Sequence, residues 1–132
     1  MSRPEIFVVD DDKEDQLIMA EYFNDVGISD RVKFFDNGEV TINFLETSND
    51  DASLPGLIVL DLNMPVLNGT QTLLYLKRDA RYKHIPVIIF STSENENEKR
   101  KCLSFGAVDY LVKPMNYEEG EAIVKRFASY LE

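Results

Sequence analysis

Residues 57–65 read LIVLDLNMP, and this stretch decides the fold class. Its first four residues are all apolar, which is typical of a strand in a parallel sheet that helices cover on both faces. Asp61 follows directly, and an amide side chain, Asn63, comes two residues later. The pattern therefore predicts a buried parallel strand with an acidic residue at its carboxyl end.

Four further apolar runs along the chain have the same character. Together with the first they predict five strands, at residues 6–9, 32–35, 57–60, 87–90 and 108–112. Segments with helical spacing separate these runs, and their expected buried side chains are Ile18, Tyr22 and Val26; Thr41, Phe44 and Leu45; Leu73 and Leu76; and Ile123, Phe127 and Leu131. Strands that alternate with helices predict an α/β fold, a single doubly wound five-stranded parallel sheet flanked by five helices.

Several residues are typical of helix ends. Asp12 is the predicted N-cap of the first helix, and residues 93–96, SENE, have the S-x-x-E form of a capping box for the fourth. The remaining predicted boundaries are glycines, with Gly27 and Gly106 as stops and Gly38 and Gly69 near starts. The most polar stretch, residues 46–55, is predicted to be a surface loop.

Length and composition limit the possible functions. The 132 residues have room for one domain, 1–132, without a separate output domain. A net charge of -10 repels nucleic-acid phosphates and anionic membrane surfaces, so neither is an expected partner. The N-terminal apolar run of four residues is too short for a signal peptide or a membrane span, and a cytoplasmic location is expected. The lone cysteine, Cys102, is predicted to be a helix core residue.

Polar residues follow four of the predicted strands. They are Asp10, Asp11 and Asp12 after the first, Asp61 after the third, Ser91 after the fourth and Lys113 at the end of the fifth. Ligands of open α/β sheets bind beyond the carboxyl ends of the strands, so these side chains are expected to meet at one edge. Clustered carboxylates favour a hard divalent cation, and Mg²⁺ fits best because it leaves coordination positions for a phosphoryl oxygen. A carboxylate nucleophile, a metal, a lysine and a hydroxyl donor are the parts that phosphoryl transfer needs.

The same stretches carry a family resemblance. VVDDD, LDLNMPVLNG, FSTS and YLVKP, at the ends of strands one, three, four and five, resemble the receiver domains of two-component response regulators. The resemblance covers essentially the whole chain and implies the flavodoxin-like receiver fold. The segments DDDKEDQ and IPVIIFSTSENENE are most similar to stand-alone receivers of the phytochrome-associated type.

The resemblance implies a role for each residue of the site. Asp61 would be the phosphoacceptor, and Mg²⁺ would be held by Asp11, Asp61 and the backbone carbonyl of Asn63, with Asp10 acting mainly through metal-bound water. Lys113 would pair with the phosphoryl oxygens, its bond to Pro114 being cis. Ser91 would be the switch hydroxyl, and Tyr110 the aromatic side chain that changes rotamer with it.

The implied function is that of a phosphorylation switch. The phosphoryl donor would be a histidine kinase or a histidine phosphotransfer protein, and the output would be a downstream protein target or self-dimerisation. The chain would catalyse only its own phosphorylation and dephosphorylation, and it is not expected to be an enzyme in the ordinary sense.

Three alternatives use the same fold. A small phosphohydrolase would need a second acid two residues after the nucleophile, where this chain has Asn63. A flavin or nucleotide module would need a phosphate-binding loop after the first strand, where this chain has three aspartates. A degenerate receiver that only binds partners would not need the complete set of acids, lysine and hydroxyl.

Other polar residues are expected to have no special role. His84 is expected in a surface loop, residues 99–101 (KRK) on a mixed solvated helix face, and Asp12 and Asp15 at a solvated turn or helix cap.

Overall fold

A computed structural model describes residues 5–47, 54–64 and 67–131. Its five strands are β1 (Ile6–Val9), β2 (Val32–Phe35), β3 (Leu57–Leu60), β4 (Val87–Ser91) and β5 (Asp109–Val112). Its five helices are α1 (Lys13–Asp25), α2 (Gly38–Glu46), α3 (Gly69–Arg78), α4 (Glu96–Ser104) and α5 (Tyr117–Ala128). The predicted strand–helix alternation is confirmed.

The sheet is parallel throughout, with the strand order β2-β1-β3-β4-β5. All residues of the three central strands are buried, whereas the edge strands β2 and β5 are partly exposed. This explains why the central strands are continuously apolar in sequence: both of their faces are covered. The doubly wound five-stranded sheet predicted from the sequence is therefore confirmed.

Successive residues of β1 point to opposite sides of the sheet, as the pleat requires. Ile6 and Val8 pack against α1 and α5, in one apolar cluster that includes Phe23. Phe7 and Val9 pack in a second cluster on the other face. In that cluster the helical side chains are Leu45 from α2, Leu73 and Leu76 from α3 and Cys102 from α4. Cys102 is thus a buried core residue, as predicted.

The predicted buried faces of the helices are correct in part. Leu73, Leu76 and Phe127 are buried, but Ile18 and Phe44 are 46% and 42% exposed. In α1 the buried side chains are Met19, Tyr22 and Phe23. Steps of four residues drift around a helix that has 3.6 residues per turn, so a strict i, i+4, i+8 pattern moves off the buried stripe.

The predicted start of α4 is wrong by two residues. Its N-cap is Asn95, whose side chain accepts hydrogen bonds from the backbone N–H groups of Asn97 and Glu98. Ser93 does not cap the helix, because its Oγ accepts from the backbone N–H of Asn95, which precedes the helix, at 3.2 Å, while its hydroxyl donates to the Glu98 carboxylate at 2.7 Å. The predicted caps at Asp12 and Gly106 are confirmed, and the φ of Gly106 is 112°, in the left-handed region that favours glycine.

Other boundaries differ slightly. β4 continues to Ser91, β5 begins at Asp109 rather than at 108, and Leu131 lies in a short 3₁₀ turn after α5. Most of the predicted loop at 46–55, namely residues 48–53, lies outside the described residues.

The order of the strands creates a crevice at the carboxyl edge of the sheet. β1 pairs with β2 on one side and with β3 on the other, so the connections that leave β1 and β3 diverge above the sheet. The start of α3 packs tightly against this edge, since a Cβ atom on Gly69 would lie 2.2 Å from the carbonyl oxygen of Asp61. Glycine at this position allows the helix to approach the backbone that carries Asp61.

Gly69→Ala is expected to lower the free energy of unfolding by about 1–3 kcal/mol, because the new methyl group must push away backbone atoms. Urea unfolding followed by far-UV circular dichroism measures the loss. Thr70→Ala, at the next position of α3, is the matched control and should be much less affected. Equal stability of Gly69→Ala and the wild-type protein would contradict the tight packing.

Candidate functional site

Three carboxylates meet at the carboxyl edge of the sheet. Asp10 and Asp11 follow β1 and Asp61 follows β3, and the backbone N–H of Asp61 donates to the carbonyl of Val9 at 3.0 Å. One carboxylate oxygen from each aspartate lies within 4.8 Å of the other two. The predicted convergence of these acids is therefore confirmed, and the parallel register of β1 and β3 is its cause.

Asp10 is held rigidly at this edge. Its side chain is 5% exposed, its Oδ1 accepts a hydrogen bond from the backbone N–H of Asp12 at 2.9 Å, and its own backbone N–H donates to Phe35. The other oxygen, Oδ2, accepts from Lys113. Asp11, by contrast, is exposed, so its carboxylate is open to a ligand from solvent.

The surroundings of the Asp61 carboxyl group disfavour its ionised form. Burial raises its pKa to about 6, opposed by the charge of Lys113 and reinforced by the charge of Asp10. The backbone N–H groups of Leu62 and Asn63 bond to the carboxylate and partly offset the increase in pKa. The ionised form of Asp61 is therefore destabilised at the carboxyl edge of the sheet, and a further cation there would stabilise it.

Lys113 supplies the cation that the structure places in this cluster. Its Nζ lies 2.8 Å from Asp10 Oδ2, 2.8 Å from Asp15 Oδ2 and 3.6 Å from Asp61 Oδ2. Burial disfavours the charged ammonium, but the hydrogen bonds to Asp10 and Asp15 outweigh burial and raise the pKa of Lys113 above its ordinary value. Lys113 therefore stays protonated at neutral pH.

The predicted cis bond between Lys113 and Pro114 is wrong. The described residues contain no cis peptide bond, so this bond is trans. The backbone N–H of Lys113 donates to the Ser91 carbonyl at 2.8 Å, which continues the pairing of β5 with β4. The backbone pairing of β5 with β4, together with the length of the lysine side chain, places the Lys113 ammonium beside Asp10 and Asp61 without a cis bond.

Ser91 and Tyr110 lie beside this cluster, on β4 and β5. Ser91 is fully buried, and its Oγ accepts a hydrogen bond from the backbone N–H of Ser93 at 3.1 Å. The Tyr110 ring, predicted to change rotamer with Ser91, is already buried here, 5% exposed. Its hydroxyl donates to the Ser93 carbonyl at 2.9 Å and its ring packs in the second apolar cluster, which together stabilise the inward rotamer.

Asn63 is exposed and lies two residues before the residues 65–66, which are outside the described part of the chain. Its backbone points the N–H group toward Asp61.

Asp15 belongs to the cluster although the sequence suggested only a solvated position. It lies in the first turn of α1 and its carboxylate reaches Lys113, which is 98 residues away in sequence. One feature of the sequence indicates that Asp15 is near the site. Because Asp12 caps α1, Asp15 is the third helical residue and lies close to the end of β1. The sequence does not reveal that α1 also lies beside the end of β5.

The remaining polar residues agree with their expected roles. His84 is exposed in the connection before β4. On α4, Arg100 donates a hydrogen bond to the Asn97 side chain, and the neighbouring acidic residues give the helix a mixed surface. In the described part of the chain, no helix is both long enough and apolar enough to cross a membrane.

The fold and the acidic edge define a class of protein. The model of the response regulator receiver domain matches residues 6–125, and the chain belongs to this family. Phosphorylation of an aspartate and binding of a divalent metal are general to this family, whose members interact with histidine kinases and downstream targets.

Solved structures place the chain near light-signalling members of the family. The phosphorylated cyanobacterial phytochrome response regulator RcpA is 30% identical, with a TM-score of 0.83 and coverage of 98% of this chain and 94% of that chain. RPA3017, a response regulator in red light signalling of R. palustris, is 34% identical, with a TM-score of 0.82 and coverage of 94% and 90%. The Mn²⁺-bound form of Rcp1, the response regulator of Synechocystis, is 27% identical, with a TM-score of 0.80 and coverage of 97% and 94%.

The donor set fits a divalent metal of this kind. All three side chains offer carboxylate oxygens, the ligands that hard cations such as Mg²⁺ and Mn²⁺ prefer, and their spacing allows one ion to contact several of them. A bound cation would also offset the burial and the charge of Asp10, which together raise the pKa of Asp61.

Asp61→Asn is expected to stabilise the metal-free protein by about 3 kcal/mol at pH 7.5. The folded state holds the Asp61 proton up to a pH of about 6, whereas the unfolded chain releases it near 3.8, so the folded state binds more protons between these values. Stability of the wild-type protein therefore falls as pH rises through this window, and the variant avoids the loss.

Urea unfolding in EDTA from pH 4 to 7.5 measures the difference. The advantage of Asp61→Asn should be small at pH 4 and complete above pH 6. Asp12→Asn is the matched control, since Asp12 is exposed and asparagine also caps helices. If Asp61→Asn is no more stable than wild type at pH 7.5, the buried charge is not destabilising.

Proposed function

We propose that the chain is a Mg²⁺-dependent phosphorylation switch in which Asp61 accepts a phosphoryl group from a phosphohistidine. The observation that carries the proposal is the Asp61 carboxylate itself, which lies beside two further aspartates and 3.6 Å from the Lys113 ammonium. A nucleophile, a site for a divalent metal and a fixed cation thus occupy one edge of the sheet.

In the proposed step an oxygen of Asp61 attacks the phosphorus atom of the donor. A P–O bond forms as the P–N bond to the histidine breaks, and the electron pair of the broken bond stays on the histidine nitrogen. Lys113 donates to the phosphoryl oxygens and so stabilises the charge that develops on them. Its raised pKa supports this role because the ammonium keeps its charge throughout.

The metal site would use the residues implied by the family pattern. Asp11 and Asp61 would bind Mg²⁺ directly, together with the backbone carbonyl of Asn63, and Asp10 would act through metal-bound water. The bonds that Asp10 already makes to Lys113 and Asp12 support this indirect role, because they occupy both of its oxygens. When bound, Mg²⁺ supplies positive charge to the phosphoryl oxygens.

The family assignment favours this function over the alternatives. The receiver-domain model matches residues 6–125, and Asn63 stands where a phosphohydrolase would need its second acid. A receiver that only binds partners would not need to maintain a buried acid with a raised pKa next to a lysine.

Asp61→Ala is expected to abolish phosphorylation, because Asp10, the other buried acid of the site, already accepts hydrogen bonds at both of its carboxylate oxygens, from Lys113 and from Asp12. Intact-mass spectrometry after incubation with acetyl phosphate measures the reaction as a gain of one phosphoryl group. The gain should require Mg²⁺ and should disappear in EDTA.

Asp12→Asn is the control, since it removes an exposed acid next to the site without touching the nucleophile. Full labelling of Asp61→Ala at another residue would contradict the assignment of Asp61.

The output would be transmitted through the Ser91 hydroxyl and the connection between β4 and α4. A phosphoryl group adds acceptor oxygens to which the Ser91 hydroxyl can donate, and a turn of the side chain toward them moves the Oγ that accepts from the backbone N–H of Ser93. Because Tyr110 bonds to the same residue, Ser93, a shift of this connection alters the face formed by α4, β5 and α5. We expect this face to bind a downstream protein or a second copy of the chain.

Hydrogen exchange of the amides with and without beryllofluoride, in Mg²⁺, tests this route. Beryllofluoride imitates the phosphoryl group and should increase protection in residues 94–105 by at least severalfold, with smaller changes in β5, where Tyr110 is already inward. Asp61→Ala treated in the same way is the control. Changes confined to the loops that follow β1 and β3 would rule out this output face.

A further inference from the structure

The contact between Asp15 and Lys113 gives the site a residue that the phosphorylation step does not use. Both of the short contacts of the ammonium, at 2.8 Å, are hydrogen bonds to Asp10 and Asp15, whereas Asp61 lies at 3.6 Å and is only an ion-pair partner. The lysine that the phosphoryl group requires is thus bonded more closely to Asp15 than to the nucleophile.

The first turn of α1 fixes the position of Asp15. The Asp12 carboxylate accepts from the backbone N–H groups of Glu14 and Asp15, which orients this turn over the end of the sheet. The side chain of Asp15 is 33% exposed and that of Lys113 only 12%. Below them, Ile18, Met19 and Phe90 line the same small cavity as Asp15 and Lys113. The pair is therefore partly shielded from water, and its interaction is stronger than that of a surface pair.

Asp15 also adds negative charge close to the nucleophile. Its Oδ2 lies 2.8 Å from the Lys113 nitrogen and Asp61 Oδ2 lies 3.6 Å from the same nitrogen, so the two carboxylate oxygens are at most 6.4 Å apart. A phosphoryl group on Asp61 carries roughly two negative charges in place of the single charge of the carboxylate, and so brings more negative charge toward this oxygen. Asp15 therefore attracts the ammonium away from the place where the phosphorylated state needs it and also repels the phosphoryl group.

We propose that Asp15 is a positioning residue that holds Lys113 in its unphosphorylated place and thereby weakens the phosphorylated state. Asp15 belongs to none of the roles assigned above, and the inference deepens the proposed function of Asp61 and rests on it.

The opposite effect, in which Asp15 helps phosphorylation by keeping Lys113 ordered, is less favoured by the geometry. Asp10 is more deeply buried than Asp15 and bonds to the same ammonium at an equal distance. The backbone of Lys113 is fixed independently by its bond to Ser91. Lys113 therefore remains at the site without Asp15, and the release of one hydrogen bond makes its ammonium available to a new acceptor.

Beryllofluoride affinity in saturating Mg²⁺, measured by isothermal titration calorimetry, tests the proposal. Asp15→Asn keeps the shape of the side chain and should bind about threefold to tenfold more tightly than wild type, the range expected for a partly shielded ion pair. Asp15→Glu retains the charge and should stay near wild type. Mg²⁺ affinity is measured separately for each variant, so that saturation is assured.

Glu14→Gln is the matched control, because it removes one negative charge from the same turn of α1 at an exposed position. Its beryllofluoride affinity should stay within twofold of wild type. Equal or weaker binding by Asp15→Asn would overturn the proposal, as would an equal gain in Glu14→Gln, which would indicate a general charge effect. Failure of the wild-type protein to bind beryllofluoride would overturn the proposed function and this inference together, whereas an unchanged Asp15→Asn beside a binding wild type overturns this inference alone.

Discussion

Repulsion among carboxylates at one edge of the sheet is the constraint on which the site depends. Parallel strands bring Asp10, Asp11 and Asp61 together whether or not a counter-charge is available, because register and chain direction fix their positions. One ammonium, from Lys113, cannot neutralise all of them. The metal-free molecule therefore keeps an excess of negative charge that a divalent cation, and then a phosphoryl group bound to that cation, can use.

The apolar sheet beneath the site supplies the stability that keeps the protein folded despite these clustered carboxylates. β1, β3 and β4 are buried along their full lengths, with helices on both faces, and burial of this much apolar surface offsets the cost of holding like charges in place. Gly69 contributes in a different way, since the absence of a side chain lets α3 close over the backbone of Asp61. Stability and reactivity thus come from separate parts of the same strands: their apolar lengths and their acidic ends.

The sequence was sufficient for everything that depends on strand direction. The strands were placed within one residue, and the convergence of Asp61 and Lys113 followed from the carboxyl-end rule for parallel sheets. It was insufficient where two distant segments meet: Asp15 was interpreted as a solvated acid because only tertiary packing places it beside Lys113. The capping box predicted at Ser93 is wrong because this side chain accepts from the backbone of Asn95 and donates to Glu98, and Asn95 caps the helix in its place. The cis bond before Pro114 was carried over by resemblance and has no local signal in the sequence.

The inward position of the Tyr110 ring limits how much this side chain could contribute to the proposed switch. A ligand changes a two-state equilibrium only by its difference in affinity between the two states. If the partner recognised the ring alone, signal and background would be nearly the same, because the ring is buried before any phosphoryl group arrives. The contrast between resting and signalling molecules must therefore come from the segment to which the hydroxyl of Tyr110 is bonded, the connection at Ser93. In the proposed switch, the difference between resting and signalling molecules would therefore depend on movement of that short connection and not on the aromatic side chain.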